Sequence, residues 1–334
     1  MGFRCYKIKT LTEGIKLKIV VLEAASLGKN IELDHLKKLG DVVVYQTTTE
    51  NQVSERIADA DIIVVNKVQL NSSNLGKSTN LKLITATSTG VNFVDLAYVN
   101  SRGIKVANIK GYSTQSVAQH TLTLLLCLME KLNYYYNYVK SKKYVDDISG
   151  EYYNVNYHEI YGKTWGIVGM GAIGKKVAEL ATAFGAHVIY YSVSGQNRSE
   201  VYERVDLDTL LTDSDIISIH TPLNDKSMKL FTYESFKKMK PSAIFINVAR
   251  GAIVDEYGLK KALQEGIISA AGIDVFCHEP MNSDCPLLSI TDGTKLVMTP
   301  HIGWASVESR QRSIDEIQYN IEAFLRGKDR NIVQ

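Results

Sequence analysis

Residues 164–180 read TWGIVGMGAIGKKVAEL, a short apolar run followed by a glycine-rich turn and a segment with helical spacing. Gly169, Gly171 and Gly174 fill the pattern GxGxxG. In a strand–turn–helix unit, the first glycine makes the tight turn, the second lets backbone approach a pyrophosphate, and the third lets the helix pack on the strand. The amides of Ala172 and Ile173 would face the phosphates. The stretch predicts a dinucleotide-binding fold.

Similar apolar runs occur on both sides of this stretch and predict strands buried on both faces of parallel sheets. The earlier series is KIVVL from 18, VVVYQ from 42, DIIVVN from 61, LKLITA from 81 and IKVAN from 104. The later series is TWGIVG from 164, HVIYYS from 187, DIISIH from 215, AIFINVA from 243, AAGIDV from 270 and LVMTPH from 296. Helical stretches at 172–184 and 255–264 alternate with them. The pattern indicates an α/β protein with two doubly wound parallel-sheet domains.

We place one domain at residues 1–110 plus 306–334 and the other at residues 111–305. A long amphipathic helix is predicted from Ser116 to about Val139, with Ser113 or Thr114 as its N-cap. The tail from Ser306 to Phe324 has a helical pattern and no strand of its own, so we expect it to return to the first domain.

The composition is that of a soluble globular protein, with 334 residues, 45% hydrophobic residues and a formal net charge of +2. Lys and Arg are scattered, so neither nucleic acid nor a membrane surface is an expected partner. Four cysteines without a CxxC pair indicate a reducing compartment and no metal site. No secretory signal is visible and no apolar run approaches the ~20 residues of a membrane span, so we expect a cytoplasmic protein.

The dinucleotide fingerprint usually ends with an acidic residue on the second strand that binds the ribose 2′-hydroxyl. This chain has Ser192 there, and Arg198 follows in a polar loop. Without a carboxylate, a 2′-phosphate is not repelled, and Arg198 could pair with it. The sequence leaves open whether the cofactor is NAD(H) or NADP(H).

Candidate catalytic side chains follow three predicted strands of the second domain. They are Arg250 in NVARG, Asp274 and Glu279 in GIDVFCHEP, and His301 in TPHIGWAS. Ligands of open parallel sheets bind beyond the carboxyl ends of the strands. We therefore expect these side chains to gather at the edge where the glycine-rich turn lies.

These motifs, together with HTPL from 220, GYSTQSVAQHT from 111 and STGVNFVDL from 88, resemble the D-isomer-specific 2-hydroxyacid dehydrogenase family over nearly the whole chain. The segments from 88 and 111 and Trp304 are most similar to its glycerate dehydrogenase (hydroxypyruvate reductase) branch. The resemblance implies a flavodoxin-like substrate domain, a Rossmann cofactor domain, an active site in the cleft between them, and a homodimer. The long helix with Tyr134, Tyr135 and Tyr136 is its candidate contact surface.

The resemblance also implies residue roles. His301 would protonate the carbonyl oxygen, Glu279 would stabilise its imidazolium, and Arg250 would hold the substrate carboxylate. The backbone amides of Thr89 and Gly90 would bind the same carboxylate. Asp274 would face the nicotinamide carboxamide, and further cofactor contacts are expected from His220, Thr221, Pro222, Val248 and Ala249. Val117 would either pack on the cofactor or belong to the core. His120 and His278 are interpreted as structural.

The substrate is the least determined part of the prediction. Ser88, Asn92 and Tyr112 suit the 3-hydroxyl of hydroxypyruvate, whereas Phe93 and Trp304 suit an apolar wall for pyruvate or a branched keto acid. Alternatives to a glycerate dehydrogenase are therefore a D-lactate or branched 2-hydroxyacid dehydrogenase. A related formate dehydrogenase is disfavoured because it normally carries glutamine at the position of Glu279. A non-catalytic NAD(H)-sensing scaffold is the alternative of another class.

Overall fold

The structure is a computed structural model that describes residues 17–28, 31–196 and 198–333. The chain divides into two compact units. The first ends at Ser113 and resumes at Val307, and the second is Thr114–Ser306. The predicted boundaries, after residues 110 and 305, lie close to these points. The assignment of the units to substrate and cofactor stays a prediction.

The first unit is built on a sheet whose central strands are completely buried, as the continuous apolar runs predict. Its parallel strands have the order β5-β4-β3-β1-β2, which is the flavodoxin-like order. They are β1 (Lys18–Val21), β2 (Asp41–Val44), β3 (Ile62–Val65), β4 (Leu83–Ala86) and β5 (Lys105–Ala107).

Short helices connect these strands, and the side chain of Asp95 caps one of them by accepting the Tyr98 amide at 3.0 Å. They are α1 (Glu50–Arg56), α2 (Ser72–Leu75) and α3 (Leu96–Ser101), with 3-10 turns at Ala24–Leu27 and Leu36–Lys38.

The tail joins this unit, as predicted, through a C-terminal helix at Val307–Leu325 whose Ile314, Ile317 and Ile321 are buried. The chain then adds a C-terminal strand at Ile332–Val333, antiparallel to β5, which the sequence did not predict. Two residues at a sheet edge carry too little apolar pattern to mark a strand.

In its described residues, the second unit has seven parallel strands in the order β12-β11-β10-β9-β6-β7-β8, which is the Rossmann order with an added edge strand. Strand order reverses between β6 and β9, and the crevice at such a point is where doubly wound sheets bind ligands. The strands are β6 (Thr164–Val168), β7 (His187–Tyr191), β8 (Glu203–Arg204), β9 (Ile216–Ile219), β10 (Ile244–Asn247), β11 (Ala270–Ile273) and β12 (Leu296–Met298).

Helices cover both faces of this sheet. The helices are α4 (Thr114–Met129), α5 (Leu132–Lys140), α6 (Ala172–Ala183), α7 (Leu207–Asp213), α8 (Tyr233–Lys237) and α9 (Glu256–Gln264). Further 3-10 turns lie at Lys143–Asp146, Glu151–Asn154, Gly251–Ile253 and Pro286–Ser289. One apolar core includes residues of α4 and α6, and the other includes residues of α7, α8 and α9. Within the described ranges, no helix has the length and apolar character needed to cross a membrane.

The predicted long helix from Ser116 to about Val139 is wrong as a single element. It begins at Thr114 and is interrupted between α4 and α5, where Lys131 adopts a left-handed backbone with φ of 53°. The Lys131 ammonium donates to the carbonyl of Thr294 at 3.2 Å, which holds the break against a loop. Such a tertiary contact overrides local helical propensity and leaves no mark on the hydrophobic pattern.

Candidate active site

The glycine-rich turn lies at the crevice between β6 and β9. Gly169 has φ of 97°, and a Cβ placed on it would lie 2.8 Å from the Thr221 amide and 2.9 Å from the His220 carbonyl oxygen. A Cβ on Gly174 would lie 2.0 Å from the Gly169 carbonyl oxygen. At Gly171, beyond its own chain neighbours, no atom of the described residues lies within 4 Å of an added Cβ. Two glycines are therefore required by packing within the protein, whereas the third leaves open space at the start of α6.

His220, directly after β9, forms the opposite side of this crevice. Trp165 Nε1 donates to Ser218 Oγ at 2.9 Å, and Ser218 Oγ lies 2.9 Å from His220 Nε2. Burial lowers the pKa of His220 to about 3, so the ring is neutral. Its Nδ1 atom is buried and has no hydrogen-bond partner among the described residues. In the neutral ring Nδ1 is either a donor or an acceptor, and in both tautomers it lacks a partner among the described residues.

The unpartnered Nδ1 of His220 and the open space at Gly171 test whether a nicotinamide dinucleotide fits this crevice. A buried polar atom without a partner is costly, so a hydrogen-bonding group on a bound ligand would satisfy His220 Nδ1. The open space at Gly171, at the positive end of the α6 dipole, suits a pyrophosphate. Thr221 is buried and Pro222 is exposed beside them, while Ala172 is exposed and Ile173 half-buried at the helix start. The residues present fit the cofactor.

The loop after β7 contains the residues predicted to contact the adenosine ribose. Ser192 is buried and Arg198 is exposed. Sequence reasoning missed Arg204, which lies on β8 and donates from Nη1 to the Gly195 carbonyl at 3.1 Å. Because β8 consists of two exposed residues, nothing in its pattern could have placed Arg204 at this loop.

His301 and Glu279 form a close pair on the loops that follow β12 and β11. His301 Nδ1 and Glu279 Oε2 are 2.6 Å apart, and Glu279 Oε1 accepts the Phe276 amide at 3.0 Å. The two side chains are 30% and 27% exposed, so they are accessible to a small molecule. With Nδ1 donating to the carboxylate, Nε2 is left to exchange a proton.

Arg250 follows β10 on a turn fixed by the buried Asn247, which sequence reasoning also missed. Asn247 Nδ2 donates to the Arg250 carbonyl at 3.0 Å, and its Oδ1 accepts the Ala249 amide at 3.0 Å. The exposed Arg250 guanidinium donates to the Ala249 carbonyl at 2.7 Å and forms no ion pair with a carboxylate in the described part of the chain. It is therefore a cation available to an anionic ligand.

The turn of Arg250 packs directly against the loop that carries Glu279. A Cβ on Gly251 would lie 2.0 Å from the Phe276 carbonyl carbon and 2.4 Å from the Cys277 amide. The backbone of the Arg250 turn therefore contacts the backbone at Phe276, whose amide donates to Glu279. Val248, at 8% exposure, belongs to the apolar core that includes α4 and α6, and the half-buried Ala249 packs against the other core of this unit.

Asp274, at the end of β11, is only 1% exposed. Its Oδ1 accepts from Thr299 Oγ1 at 2.6 Å and from the Ile302 amide at 2.9 Å, and its Oδ2 accepts the Gly303 amide at 2.8 Å. Burial would raise the pKa of Asp274, but hydrogen bonds from His120, Thr299 and the backbone outweigh it and lower the pKa. Asp274 is thus an ionised carboxylate directed at the His301 turn.

The remaining predicted residues differ in burial and in their hydrogen bonds. Val117 belongs to the buried core of the second unit, and Trp304 is partly buried against that core. In the first unit, the loop after β4 is ordered by side chains: Ser88 Oγ donates to the Gly90 carbonyl at 2.7 Å, and Thr89 Oγ1 donates to the Ile109 carbonyl at 2.9 Å.

Of the other residues considered for substrate specificity, Phe93 packs in the first unit's core, Tyr112 is buried and Asn92 is exposed. His278 is also exposed. Among the side chains that the structure describes, no group of three or more His, Cys, Asp or Glu residues could hold a metal ion.

The second unit therefore combines an acid–base couple, an available guanidinium and a crevice that fits a dinucleotide. This set can bind an anionic substrate, stabilise charge on a carbonyl oxygen and deliver a proton to it.

Comparison with known proteins agrees with this geometry. Residues 122–303 match the family described as D-isomer specific 2-hydroxyacid dehydrogenase, NAD binding domain. The chain is 36% identical to glycerate dehydrogenase of Methylorubrum extorquens over 95% of its length and 99% of that protein. It is 35% identical to hydroxypyruvate reductase of Blautia hydrogenotrophica, again over 95% of this chain and 99% of the relative.

Solved structures show the same fold. D-lactate dehydrogenase of Aquifex aeolicus, complexed with NAD and lactic acid, has a TM-score of 0.79 and 29% identity, and the match covers 93% of this chain and 96% of that one. An acyclic imino acid reductase in complex with NADPH and D-Arg has a TM-score of 0.83 and 28% identity, with coverage of 95% and 100%. On these matches, the chain belongs to the D-isomer-specific 2-hydroxyacid dehydrogenase family.

Proposed function

We propose that this protein reduces a small 2-keto acid to the D-2-hydroxy acid, with hydroxypyruvate as the leading substrate and D-glycerate as its product. The observation that carries the proposal is the pairing of His301 with Glu279 at 2.6 Å, beside the Arg250 turn. The similarity to a glycerate dehydrogenase and a hydroxypyruvate reductase supports the choice of substrate.

The chemistry needs one hydride and one proton for each keto acid reduced. The reduced nicotinamide ring, when bound, supplies a hydride to the carbonyl carbon. The electron pair of the C=O π bond moves to oxygen, and His301 donates its Nε2 proton there. Glu279 accepts from Nδ1 throughout, so it orients the ring and stabilises the imidazolium before the transfer. In the reverse direction, the neutral imidazole accepts the hydroxyl proton.

Arg250 binds the substrate carboxylate through its fork of donors and polarises the reacting carbonyl. The amides of Thr89 and Gly90 are proposed to bind the same carboxylate, with Ser88 and Trp304 contacting the substrate. The internal hydrogen bonds of the Ser88–Gly90 loop support this role, because they fix the backbone whose amides would donate.

The proposed cofactor contacts use the crevice between β6 and β9. The turn of Gly169, Gly171 and Gly174, with the amides of Ala172 and Ile173, would hold the pyrophosphate. His220, Thr221 and Pro222 would lie on the opposite side, with Val248, Ala249 and Asp274 near the nicotinamide.

Acceptance of NADP(H) beside NAD(H) is supported by the absence of a carboxylate at Ser192. Arg198 lies close in sequence, and Arg204 donates to the same loop, so two cations are available for a 2′-phosphate.

A substrate comparison tests the proposed function. Hydroxypyruvate, glyoxylate, pyruvate and 2-ketoisocaproate are each offered with NADH and with NADPH, and kcat/KM is compared. We expect hydroxypyruvate to exceed pyruvate by at least about tenfold, because a site that binds the 3-hydroxyl leaves its polar groups unpaired with pyruvate. Equal rates, or a preference for the branched acid, would contradict the assignment to hydroxypyruvate. No oxidation of either cofactor would favour the sensing scaffold.

Glu279→Gln should lower kcat/KM for the reduction by about 10- to 100-fold. The neutral amide replaces the carboxylate that accepts from His301 Nδ1, so it orients the ring less firmly and does not stabilise the charge on the proton donor. The measurement is kcat/KM for the keto acid from about pH 5 to 9. Glu179→Gln, at an exposed ion pair on α6, is the matched control and should keep the wild-type kcat/KM. An unchanged kcat/KM in Glu279→Gln would refute the pairing.

A homodimer is proposed, with α5 and the segment after it as the contact surface. Exposed apolar and aromatic side chains are concentrated there, including Leu132, Tyr136, Val139, Tyr144, Val145 and Ile148. Because large exposed apolar patches mark interaction sites, a second copy of this chain is the occupant that we expect.

Light scattering at micromolar concentration should give twice the 37.2 kDa mass of the chain. The double variant Val145→Asp, Ile148→Asp should shift the protein to the monomer, since charges would be buried on association. Val201→Asp, at another highly exposed valine, is the control and should stay dimeric. A wild-type monomer would rule the proposal out.

A reducing, cytoplasmic compartment is also proposed. Cys127, Cys277 and Cys285 are free thiols, whereas the prediction for Cys5 lies outside the described residues. Thiols persist where the compartment is reducing.

A further inference from the structure

The turn that carries His301 has an unfavourable backbone conformation. His301 has φ of 55°, in the left-handed region that non-glycine residues seldom occupy. Its amide donates to the Thr299 carbonyl at 3.0 Å, only two residues back. A residue keeps such a conformation only where surrounding contacts impose it. The contacts that do so here come from β11 and α4.

The first set of contacts comes from Asp274. Its two oxygens accept the amides of Ile302 and Gly303, the two residues that follow His301, and the hydroxyl of Thr299, two residues before it. One buried carboxylate therefore ties both sides of the turn. Oδ1 of Asp274 already accepts two hydrogen bonds within the protein, so it has little capacity to accept another.

The second set comes from one face of α4. His120 Nε2 lies 2.9 Å from Thr299 Oγ1 and 3.3 Å from Asp274 Oδ1. Four residues earlier, Ser116 Oγ donates to the Gly303 carbonyl at 2.6 Å. Side chains at i and i+4 share a helix face, so α4 presents both groups to the same turn.

The proton positions follow from the chemistry of the three groups. The ionised Asp274 can only accept, so the Thr299 hydroxyl donates to it. Thr299 Oγ1 is then an acceptor toward His120, which must carry a proton on Nε2. A side chain without a donor at position 120 would remove a hydrogen-bond donor from both Thr299 Oγ1 and the Asp274 carboxylate.

We infer that His120 and Ser116 are positioning residues that act through Thr299, Asp274 and Gly303 to hold the catalytic turn of His301. The inference rests on the proposed role of His301 in protonating the substrate. It replaces the interpretation of His120 as a merely structural histidine. Neither side chain needs to touch the substrate, because a misplacement of the acid by about 1 Å is enough to cost on the order of 10²-fold in rate.

Variants at position 120 test the inference. His120→Leu removes the donor, and we expect kcat to fall about 10- to 100-fold. His120→Gln can place an amide donor near the position of Nε2 and should restore most of the rate. The affinity for NADH, measured by fluorescence titration, should fall by much less than kcat in both variants, because the glycine-rich turn is not involved and only the Asp274 end of the proposed cofactor site is perturbed. Thr123→Ala, on an exposed part of α4, is the matched control.

Hydrogen–deuterium exchange gives a readout that does not depend on activity. The amides of Ile302 and Gly303 should exchange faster in His120→Leu and in Ser116→Ala than in the wild-type protein, whereas His120→Gln should protect them. Unchanged exchange and an unchanged kcat in both variants would overturn the inference. If His120→Gln lost as much kcat as His120→Leu, the inference would also be overturned, because restoring a hydrogen-bond donor at position 120 would not restore the rate.

The outcome is separable from that of the proposed function. If His301→Ala retains full activity, the proposed function fails, whatever His120 does. If His301→Ala is inactive and His120→Leu behaves as the wild type, only the present inference fails.

Discussion

His301→Ala is expected to lower kcat for keto-acid reduction by about 10²- to 10⁴-fold, the range for loss of a general acid. The side chain is 30% exposed and its ring contacts Glu279, so its removal leaves no large cavity. The melting temperature should therefore change little. Steady-state kinetics with saturating NADH and thermal unfolding of the same samples are the two measurements.

His187→Ala is the matched control for this experiment, because His187 is exposed at the start of β7, away from the strand ends that hold the site. It should have wild-type kinetics. Arg250→Ala should also lose activity, and Arg250→Lys should recover only part of it, because lysine offers a point charge in place of a fork. Activity close to the wild-type value in His301→Ala would remove this residue from the mechanism.

The second large effect is expected at the glycine-rich turn, where two substitutions should behave oppositely. Gly171→Ala should leave the melting temperature of the free protein unchanged, because the added methyl group meets no described atom within 4 Å beyond its own chain neighbours. It should weaken NADH binding by at least about tenfold, since the methyl group occupies space that the pyrophosphate needs.

Gly174→Ala is the contrasting variant. Its methyl group would lie 2.0 Å from the Gly169 carbonyl oxygen, so backbone must move and the free energy of unfolding should fall by about 1–3 kcal/mol. Thermal unfolding without cofactor and fluorescence titration with NADH separate the two effects. Normal NADH affinity in Gly171→Ala would count against a pyrophosphate at this turn.

The fold was largely predictable because each continuous apolar run corresponds to a strand, and the runs at the centre of each sheet are buried. Ile62–Val65 and Leu83–Ala86 are buried at every residue. A continuous apolar run of this kind predicts a buried strand without information about distant residues. The prediction that β2 is buried on both faces was wrong: it lies at the edge of its sheet, and all four of its residues are exposed or half-buried. The prediction failed where structure depends on distant contacts. The break at Lys131 is held by the carbonyl of Thr294, and the edge strand at Glu203–Arg204 has no buried residue.

The same distinction applies to the candidate site. The pairing of His301 with Glu279 could be anticipated, because both follow neighbouring parallel strands whose carboxyl ends meet at one edge. The groups that hydrogen-bond the loops of the candidate site, such as Asn247 and His120, could not be assigned in this way. Asn247 acts on the backbone of the turn that directly follows it, and its role depends on the conformation of that turn. His120 acts on the side chains of Thr299 and Asp274, and its role depends on how α4 packs against them.

The discontinuous first unit has a consequence for how the chain is made. Its sheet receives the C-terminal helix and the strand at Ile332–Val333 only after the ribosome has translated all of Thr114–Ser306. The second unit has a continuous sequence and can fold while the first still lacks its last pieces. Closing the first unit requires contacts between residues far apart in the chain, and such contacts form slowly. Until they form, the edge of β5 and the apolar surface that the helix covers stay exposed, so nascent chains are most prone to aggregate at this stage.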